Sequence, residues 1–192
     1  MQIAPIFDQD HNSMENYYYF ENAFTENEVQ QIITEAESKE LERGNTFGLD
    51  IRKSSISWLN HNEQWIWLYD RMSNMAITAN AEMYRFNLYS VQDSIQYTIY
   101  DSSEEGHYGA HIDIGPGTAS LRKISVVTQL SKPDEYEGGD LQILMGEDNW
   151  VNVPRGLGLT VCFPSFLYHR VIPVTKGIRK SLVLWVGGEH FK

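Results

Sequence analysis

The sequence predicts an α+β fold, in which a helical first half supports an antiparallel β-sandwich or jelly roll formed by the second half. Three observations predict it. Apolar residues recur at helical spacing up to about residue 90, short β-branched segments follow, and turns rich in Gly and Pro separate those segments. Since 192 residues suit one domain, we expect a single domain over 1–192, with helical support over about 20–90 and a jelly-roll core over about 91–190.

A first helix is predicted over about residues 25–40. Thr25 and Glu28 form the Thr-x-x-Glu pattern of a capping box, which marks a helix start. Apolar residues then follow at helical spacing, so the helix needs a sheet or another helix to cover this stripe. The stripe consists of Val29, Ile32, Ile33 and Ala36.

A second helix is predicted from near Asn60 or Asn62 to about Met83. Its apolar residues trace one face, which is typical of packing against a core rather than of a cofactor site. That face consists of Trp65, Leu68, Met72, Ala76, Ala79 and Met83.

Strands are predicted after about residue 90, where the period of the apolar residues changes from helical to alternating. Turn signals containing Gly or Pro lie between the segments, and no helical pattern does, which argues against a parallel α/β sheet. The predicted strands cover residues 94–100, 123–130, 139–145, 157–163, 169–174 and 180–186.

Charge and cysteine content limit the classes of function. The formal net charge of −11 disfavours binding to nucleic acid or to anionic membranes. A single cysteine, Cys162, excludes an internal disulfide and a multi-thiolate zinc site, and its apolar surroundings indicate a buried core residue. With no signal-like or membrane-spanning apolar run, a cytoplasmic protein is expected.

The segment His111-Ile112-Asp113 indicates a metal site. On a strand, residues two apart point to the same face, so His111 and Asp113 would converge on a common point. Two histidines and one carboxylate leave three coordination positions open, which suits an Fe(II) that binds a chelating co-substrate and O2. A second histidine must therefore come from elsewhere.

His169 is the favoured second histidine, because it begins a predicted late strand that can lie beside an early one in a jelly roll. His107 stands four positions before His111, but two glycines and the lack of helical periodicity favour a loop there. The remaining histidines are expected at the surface: His11, His61 and His190.

Arg179 lies ten positions after His169, and on a strand it shares a face with Ser181. The two side chains would offer a guanidinium fork and a hydroxyl to one carboxylate. The neighbouring residues are apolar on both faces of the strand, so a charged Arg179 there needs an anionic partner. An internal ion pair with one of the 26 acidic residues is the alternative.

In combination, several motifs over roughly residues 94–188 resemble the prolyl 4-hydroxylase-like branch of the Fe(II)/2-oxoglutarate-dependent oxygenases. The resemblance implies a double-stranded β-helix (jelly roll, cupin-like) with N-terminal helices packed on its major sheet. The motifs are Tyr100, Gly106 to Asp113, Ser125 to Leu130, Asp134 to Leu141, Phe163 to Ser165, His169 to Val174 and Gly177 to Arg179.

The resemblance also implies roles for individual residues. It implies Fe(II), 2-oxoglutarate and O2 as cofactor and co-substrates, with ascorbate as a reductant. Arg179 would bind the 5-carboxylate of 2-oxoglutarate with help from Ser181, Tyr100 would reach the co-substrate, and Tyr108 would line the mouth of the site. The implied iron ligands are His111, Asp113 and His169.

The expected activity is hydroxylation of an unactivated C–H bond, in which 2-oxoglutarate is converted to succinate and CO2. The substrate would be a prolyl peptide or protein, or else a small molecule. The alternative from another class is a cupin-like metal-binding or sensor protein without oxygenase activity. Aromatic residues in the first half could line a peptide groove, although core packing is their more usual role: Trp58, Trp65, Trp67 and Tyr17 to Tyr19.

Overall fold

The computed structural model of the chain describes residues 16–44, 51–91 and 93–190. Two α-helices lie in the first half, as predicted. The helical elements are α1 (Glu26–Glu37), α2 (Ile66–Ala79), a π-helical turn (Asn80–Tyr84) and two 3₁₀ turns (Ser102–Glu104 and Gly117–Leu121).

Strands account for most of the second half and also for short stretches of the first. The first-half strands are β1 (Tyr18–Phe20), β2 (Glu42–Arg43), β3 (Arg52–Lys53), β4 (Ser55–Leu59) and β5 (Leu88–Val91). The second-half strands are β6 (Ile95–Asp101), β7 (His107–His111), β8 (Arg122–Gln129), β9 (Tyr136–Gly138), β10 (Leu141–Leu144), β11 (Trp150–Asn152), β12 (Thr160–Pro164), β13 (His169–Val171) and β14 (Val174–Gly188).

The start of α1 is the predicted capping box. Thr25 Oγ1 accepts a hydrogen bond from the Glu28 backbone N–H, and Glu28 Oε2 accepts one from the Thr25 backbone N–H at 2.9 Å. Val29, Ile32 and Ala36 are buried, so the predicted stripe is confirmed.

Helix α2 begins and ends differently from its prediction. It begins at Ile66, because Asn62 accepts the Trp65 backbone N–H in the turn before it. The predicted face is buried as far as Ala79. The assignment of Met83 to that face is wrong: Met83 lies in the π-helical turn, whose wider spacing rotates it away from the core, and it is 39% exposed.

Within the described residues the strands form two antiparallel sheets. The larger has nine strands in the order β1-β12-β8-β14-β6-β4-β2, with β5 and β9 also pairing with β14. The smaller has five in the order β11-β10-β13-β7-β3. This arrangement of two facing antiparallel sheets confirms the predicted jelly-roll class.

The core has two parts, one on each face of the large sheet. Helices α1 and α2 cover the outer face, where Cys162 is buried as expected and Trp65 is fully buried among apolar side chains. Between the two sheets lies a second cluster that includes Tyr17, Phe163 and Val171. Core packing, the more usual role of such aromatic residues, is therefore confirmed for Trp65 and Tyr17, and the groove alternative does not hold for them.

The strands that sequence analysis missed are mostly short. Strands β1 to β5, β9 and β11 have two to five residues each, too few alternations to stand out from irregular chain. Neither α1 nor α2 combines the length and the apolar run that a bilayer crossing requires.

Candidate active site

His111 and His169 meet at the ends of two paired strands of the small sheet. His111 is the last residue of β7 and His169 the first of β13, and the two are direct partners in the antiparallel register. Their ring centroids are 4.2 Å apart. Antiparallel pairing thus brings together two imidazoles that are 58 positions apart in the chain.

Asp113 completes a cluster with these two histidines. Its Oδ1 is 3.6 Å from His111 Nε2, and its Oδ2 is 3.4 Å from His169 Nε2. One potential ligand atom from each of the three residues lies within 4.8 Å of the others. Among the described residues, no other group of three or more acidic, histidine or cysteine side chains has this geometry.

The expectation that His111 and Asp113 share a strand face is wrong, because β7 ends at His111. Asp113 reaches the cluster from the irregular segment that follows. Its backbone N–H donates to Ser165 O at 2.9 Å, and its carbonyl accepts from Arg122 Nη1 at 3.0 Å. Two hydrogen bonds of the Asp113 backbone therefore place its side chain beside the histidines, although Asp113 lies outside the strand.

Hydrogen bonds select the histidine nitrogens that face the cluster. His111 Nδ1 is 2.8 Å from Gly109 O, and His169 Nδ1 is 3.0 Å from Leu167 O. A carbonyl can only accept, so both Nδ1 atoms carry a proton, and Nε2 is the ring nitrogen of each histidine that faces Asp113.

The charge states of the cluster suit metal ligation. Burial raises the pKa of Asp113, but His169, His111 and the Ser125 hydroxyl outweigh it and hold that pKa well below its ordinary value. Burial lowers the pKa of His169. A carboxylate with two imidazoles is the donor set that an Fe(II) with open coordination positions takes, so these residues fit ferrous iron.

Ser125 supports Asp113 and was not assigned a role from sequence. Its Oγ donates to Asp113 Oδ2 at 2.6 Å and lies 3.0 Å from Ser165 Oγ. The sequence does contain an indication of this role, because Ser125 is a polar residue between Ile124 and Val126 in a strand that is buried along most of its length.

Arg179 lies in the same cavity, on β14 of the large sheet, and is only 2% exposed. Its Nη1 donates to Ser181 Oγ at 3.2 Å. Its Nη2 is buried and has no acceptor among the described residues. The alternative of an internal ion pair therefore finds no support in the described part of the chain, and the guanidinium has an unused donor for an anionic ligand.

Tyr100 and Tyr108 flank these groups. Tyr100 pairs with Arg179 in the register of β6 and β14, and the guanidinium carbon is 5.4 Å from the Tyr100 ring centroid. The Tyr108 ring stacks on His111. Burial raises the pKa of Tyr108, which keeps its hydroxyl protonated.

One cavity of about 670 Å³ brings all seven candidate residues together. Other parts of its wall come from β3, β4 and the segment after Asp113. The residues proposed from sequence that line it are Tyr100, Tyr108, His111, Asp113, His169, Arg179 and Ser181.

The other histidines lie apart from this cluster. His107 begins β7, so its expected loop position is wrong, and its Nδ1 is 2.8 Å from Glu105 O. His61 packs edge-on against Tyr69, and His190 is exposed. His11 lies outside the described residues.

Comparison with known proteins gives a family match for part of the chain and identifies the fold. Residues 95–187 match the model of the 2OG-Fe(II) oxygenase superfamily. A PKHD-type hydroxylase of Parvibaculum lavamentivorans is 40% identical over 91 residues, which are 42% of this chain and 38% of that protein. The chain thus spans well under half of the length of this relative.

Two solved structures share the fold. A prolyl-4-hydroxylase of Pseudomonas putida aligns with a TM-score of 0.72 and 19% identity, over 91% of this chain and 93% of that one. A Trichoplax adhaerens prolyl hydroxylase, in complex with a hypoxia inducible factor peptide fragment, aligns with a TM-score of 0.72 and 19% identity, over 90% and 84% of the two chains. These alignments confirm the double-stranded β-helix fold. Residues 95–187, a little under half of the chain, are therefore similar to the 2OG-Fe(II) oxygenase superfamily.

Proposed function

We propose that the chain is an Fe(II)- and 2-oxoglutarate-dependent dioxygenase that hydroxylates an unactivated C–H bond. One observation supports this most strongly. The His111, Asp113 and His169 cluster shares a cavity with Arg179, a buried cation whose Nη2 has no acceptor in the described residues. A metal-chelating molecule with a distal carboxylate would satisfy both ends of this cavity.

His111, Asp113 and His169 would hold the metal, and Arg179 with Ser181 would hold the distal carboxylate of 2-oxoglutarate. When bound, Fe(II) with 2-oxoglutarate and O2 supplies the oxidant for C–H hydroxylation, with succinate and CO2 as co-products. The guanidinium and hydroxyl would fix one end of the co-substrate, so that its other end faces the metal ligands.

The remaining contributions of the chain are orientation and exclusion of water. Backbone carbonyls accept hydrogen bonds from both Nδ1 atoms, so Nε2 of His111 and of His169 is the nitrogen left for ligation. Ser125 and the Asp113 backbone contacts fix the carboxylate. Each ligand therefore has an outer hydrogen bond that sets its direction.

For the substrate, we propose a prolyl residue in a peptide or protein, with a small molecule as the alternative. The likeness in fold to two prolyl hydroxylases, one of them in complex with a peptide fragment, supports the peptide. The charge of −11 disfavours nucleic acid. A +16 mass shift on proline peptides would support the prolyl version, and its absence alongside oxidation of small molecules would support the alternative.

Succinate release tests the reaction itself. We expect release that depends on Fe(II), 2-oxoglutarate and O2, that ascorbate sustains, and that His111→Ala and Arg179→Ala abolish. Arg170→Ala is the matched control, because Arg170 does not line the cavity. Release that is unchanged in the first two variants would contradict the proposal.

The alternative function is that of a cupin-like metal-binding or sensor protein without oxygenase activity. Such a protein needs the metal ligands but no unpaired arginine in the cavity. Tight metal binding without any affinity for 2-oxoglutarate, in a chain whose His111→Ala variant loses the metal, would favour it.

We also propose that the chain forms a single domain located in the cytoplasm. Helix α2 packs on strands β8, β12 and β14, so the helical support and the jelly roll share one apolar core. Cys162, the single cysteine of the sequence, is buried, which is compatible with a reducing compartment.

A further inference from the structure

The cavity contains a second arginine that has no carboxylate partner in the described part of the chain. Four arginines line it. Arg43 pairs with Glu104, and Arg122 pairs with Asp93 at 2.6 Å. Neither Arg52 nor Arg179 has an acidic partner within salt-bridge distance among the described residues, and the proposed function assigns only Arg179.

Arg52 is held by neutral groups. Its Nε donates to Ser54 Oγ at 2.7 Å and its Nη2 to Gln96 Oε1 at 2.8 Å, while the residue is only 9% exposed. A hydroxyl and an amide oxygen orient the guanidinium but do not balance its charge. A buried cation in this state is stabilised when an anion joins it.

The chain leaves room for this arrangement at Gly44. A Cβ at Gly44 would lie 2.7 Å from Arg52 Nε and 2.6 Å from Ser54 Oγ. Any larger residue at position 44 would displace the guanidinium or the hydroxyl. The position of Arg52 therefore depends on contacts from a separate strand and from a neighbouring loop.

Arg52 lies beside the metal ligands. It is directly opposite Tyr108 in the pairing of β3 with β7, and its guanidinium carbon is 4.6 Å from the Tyr108 ring centroid. That ring in turn stacks on His111 with 3.6 Å between centroids. One aromatic ring thus separates Arg52 from a proposed metal ligand.

The two unpaired arginines lie toward different ends of one row of side chains. Arg52 bonds to Gln96, and Arg179 lies against Tyr100, four residues further along β6. Four residues of a strand span roughly 13 Å. Arg52 is therefore placed for a different ligand group from the one proposed for Arg179.

We propose that Arg52 binds a carboxylate of the primary substrate and so orients the C–H bond to be oxidised. This inference rests on the proposed function, and it adds that the substrate is an anion. The carboxylate could belong to a free acid or to an acidic side chain of a peptide, and both offer the same two oxygens to the guanidinium fork.

Binding measurements test this without turnover. The full chain is loaded with 2-oxoglutarate and with Mn(II), which takes the same ligand types as Fe(II). Fluorescence of Trp58 and Trp185, which line the cavity, reports binding. Probes are N-acetyl-proline, N-acetyl-leucine and N-acetyl-phenylalanine, each as acid and amide, and N-acetyl-aspartate α-amide against N-acetyl-asparagine α-amide.

We expect at least one acid to bind about tenfold or more tightly than its amide, since the amide lacks the charge. The first three pairs report a free-acid source, and the last pair reports a side-chain source. In Arg52→Gln the acid-to-amide ratio should fall to near one. The affinity for 2-oxoglutarate should change by less than about twofold, because Arg179 remains.

Arg170→Gln is the matched control. Arg170 also donates to a glutamine, Gln142, at 2.6 Å and lies over an aromatic ring, Trp150, at 4.0 Å, but it does not line the cavity. Arg170→Gln should keep the native ratio. If Arg52→Gln does not fold, Arg52→Lys keeps the charge without the fork and should still reduce the ratio.

Three results would overturn the inference: no acid preference in the native chain, an unchanged preference in the Arg52 variants, or a loss of 2-oxoglutarate affinity as large as the loss of acid affinity. Failure of the proposed function is distinct from these. In that case the native chain would bind neither Mn(II) nor 2-oxoglutarate.

Discussion

The rings of Tyr108 and His111 lie almost parallel, with 3.6 Å between their centroids and 13° between their planes. The two residues are three positions apart in sequence and both belong to β7. His111 Nδ1 also forms a hydrogen bond with Gly109 O. The stack and the hydrogen bond together hold the His111 ring in one orientation, which is the orientation that aims Nε2 at Asp113.

Loss of this stack should weaken metal binding. We expect Tyr108→Ala to reduce Mn(II) affinity about tenfold, in the range seen when groups that orient metal ligands are removed, while Tyr108→Phe stays near the native value. Titration with Mn(II) measures both. Tyr168→Ala, at a position 52% exposed, is the control. Equal affinities for the Ala and Phe variants would contradict the role of the ring.

Ser125 should matter for metal binding more than for stability. Ser125→Ala removes the hydrogen bond to Asp113 Oδ2, so the carboxylate loses its fixed direction, and metal affinity should fall about 10- to 100-fold. Thr128→Ala, on the same strand, breaks the buried hydrogen bond to Thr160 at 2.8 Å without touching the cavity. That variant should lose stability in urea unfolding but keep its metal affinity. The reverse pattern would exclude the proposed role of Ser125.

Arg179→Met should separate co-substrate binding from folding. The substitution removes a buried charge whose Nη2 lacks an acceptor in the described residues, and it keeps much of the side-chain volume. We expect the thermal midpoint to be unchanged or higher, and the affinity for 2-oxoglutarate to fall more than about tenfold. Calorimetry of unfolding and of 2-oxoglutarate binding gives both values. A lower midpoint with native affinity would argue that Arg179 is structural.

The capping box of α1 should make a pH-dependent contribution to stability. A hydrogen bond from Arg71, with others from Thr25, lowers the pKa of Glu28 to about 2 from 4.5. Because the folded-state pKa is the lower one, the contribution is complete above about pH 4.5 and is lost as the pH falls toward about 2.

Glu28→Ala should therefore lower the free energy of unfolding by about 1 kcal/mol at pH 7. The difference from the native chain should shrink at pH 3, where Glu28 is mostly protonated in the unfolded state and gains less from folding. Urea unfolding at the two pH values checks this, with Glu40→Ala as an exposed control outside α1. A difference that is equal at both pH values would rule out the ionic contribution.

Much of the fold could be predicted from short-range patterns. The capping box and the apolar stripe of α1 depend on interactions three or four residues apart, which the local sequence records directly. Strands β6 and β8 were predicted to within a residue or so for the same reason, since alternation over seven or eight residues is a clear signal. Two-residue strands such as β3 have no such signal, yet β3 contributes Arg52 to the cavity.

The chemistry of the cavity was readable in the chain because its key residues come in recognisable local groups. His111 and Asp113 are two apart, and Arg179 and Ser181 are two apart, so each pair indicated a candidate site before any fold was known.

The way in which these pairs meet depended on contacts between distant strands. The Asp113 backbone is held by hydrogen bonds with the Ser165 carbonyl and the Arg122 side chain, and Arg52 faces the site because β3 pairs with β7. Local spacing records side-chain periodicity, whereas strand register and the path of an irregular segment are settled by the free energy of packing the whole chain, and no short window of sequence contains that quantity.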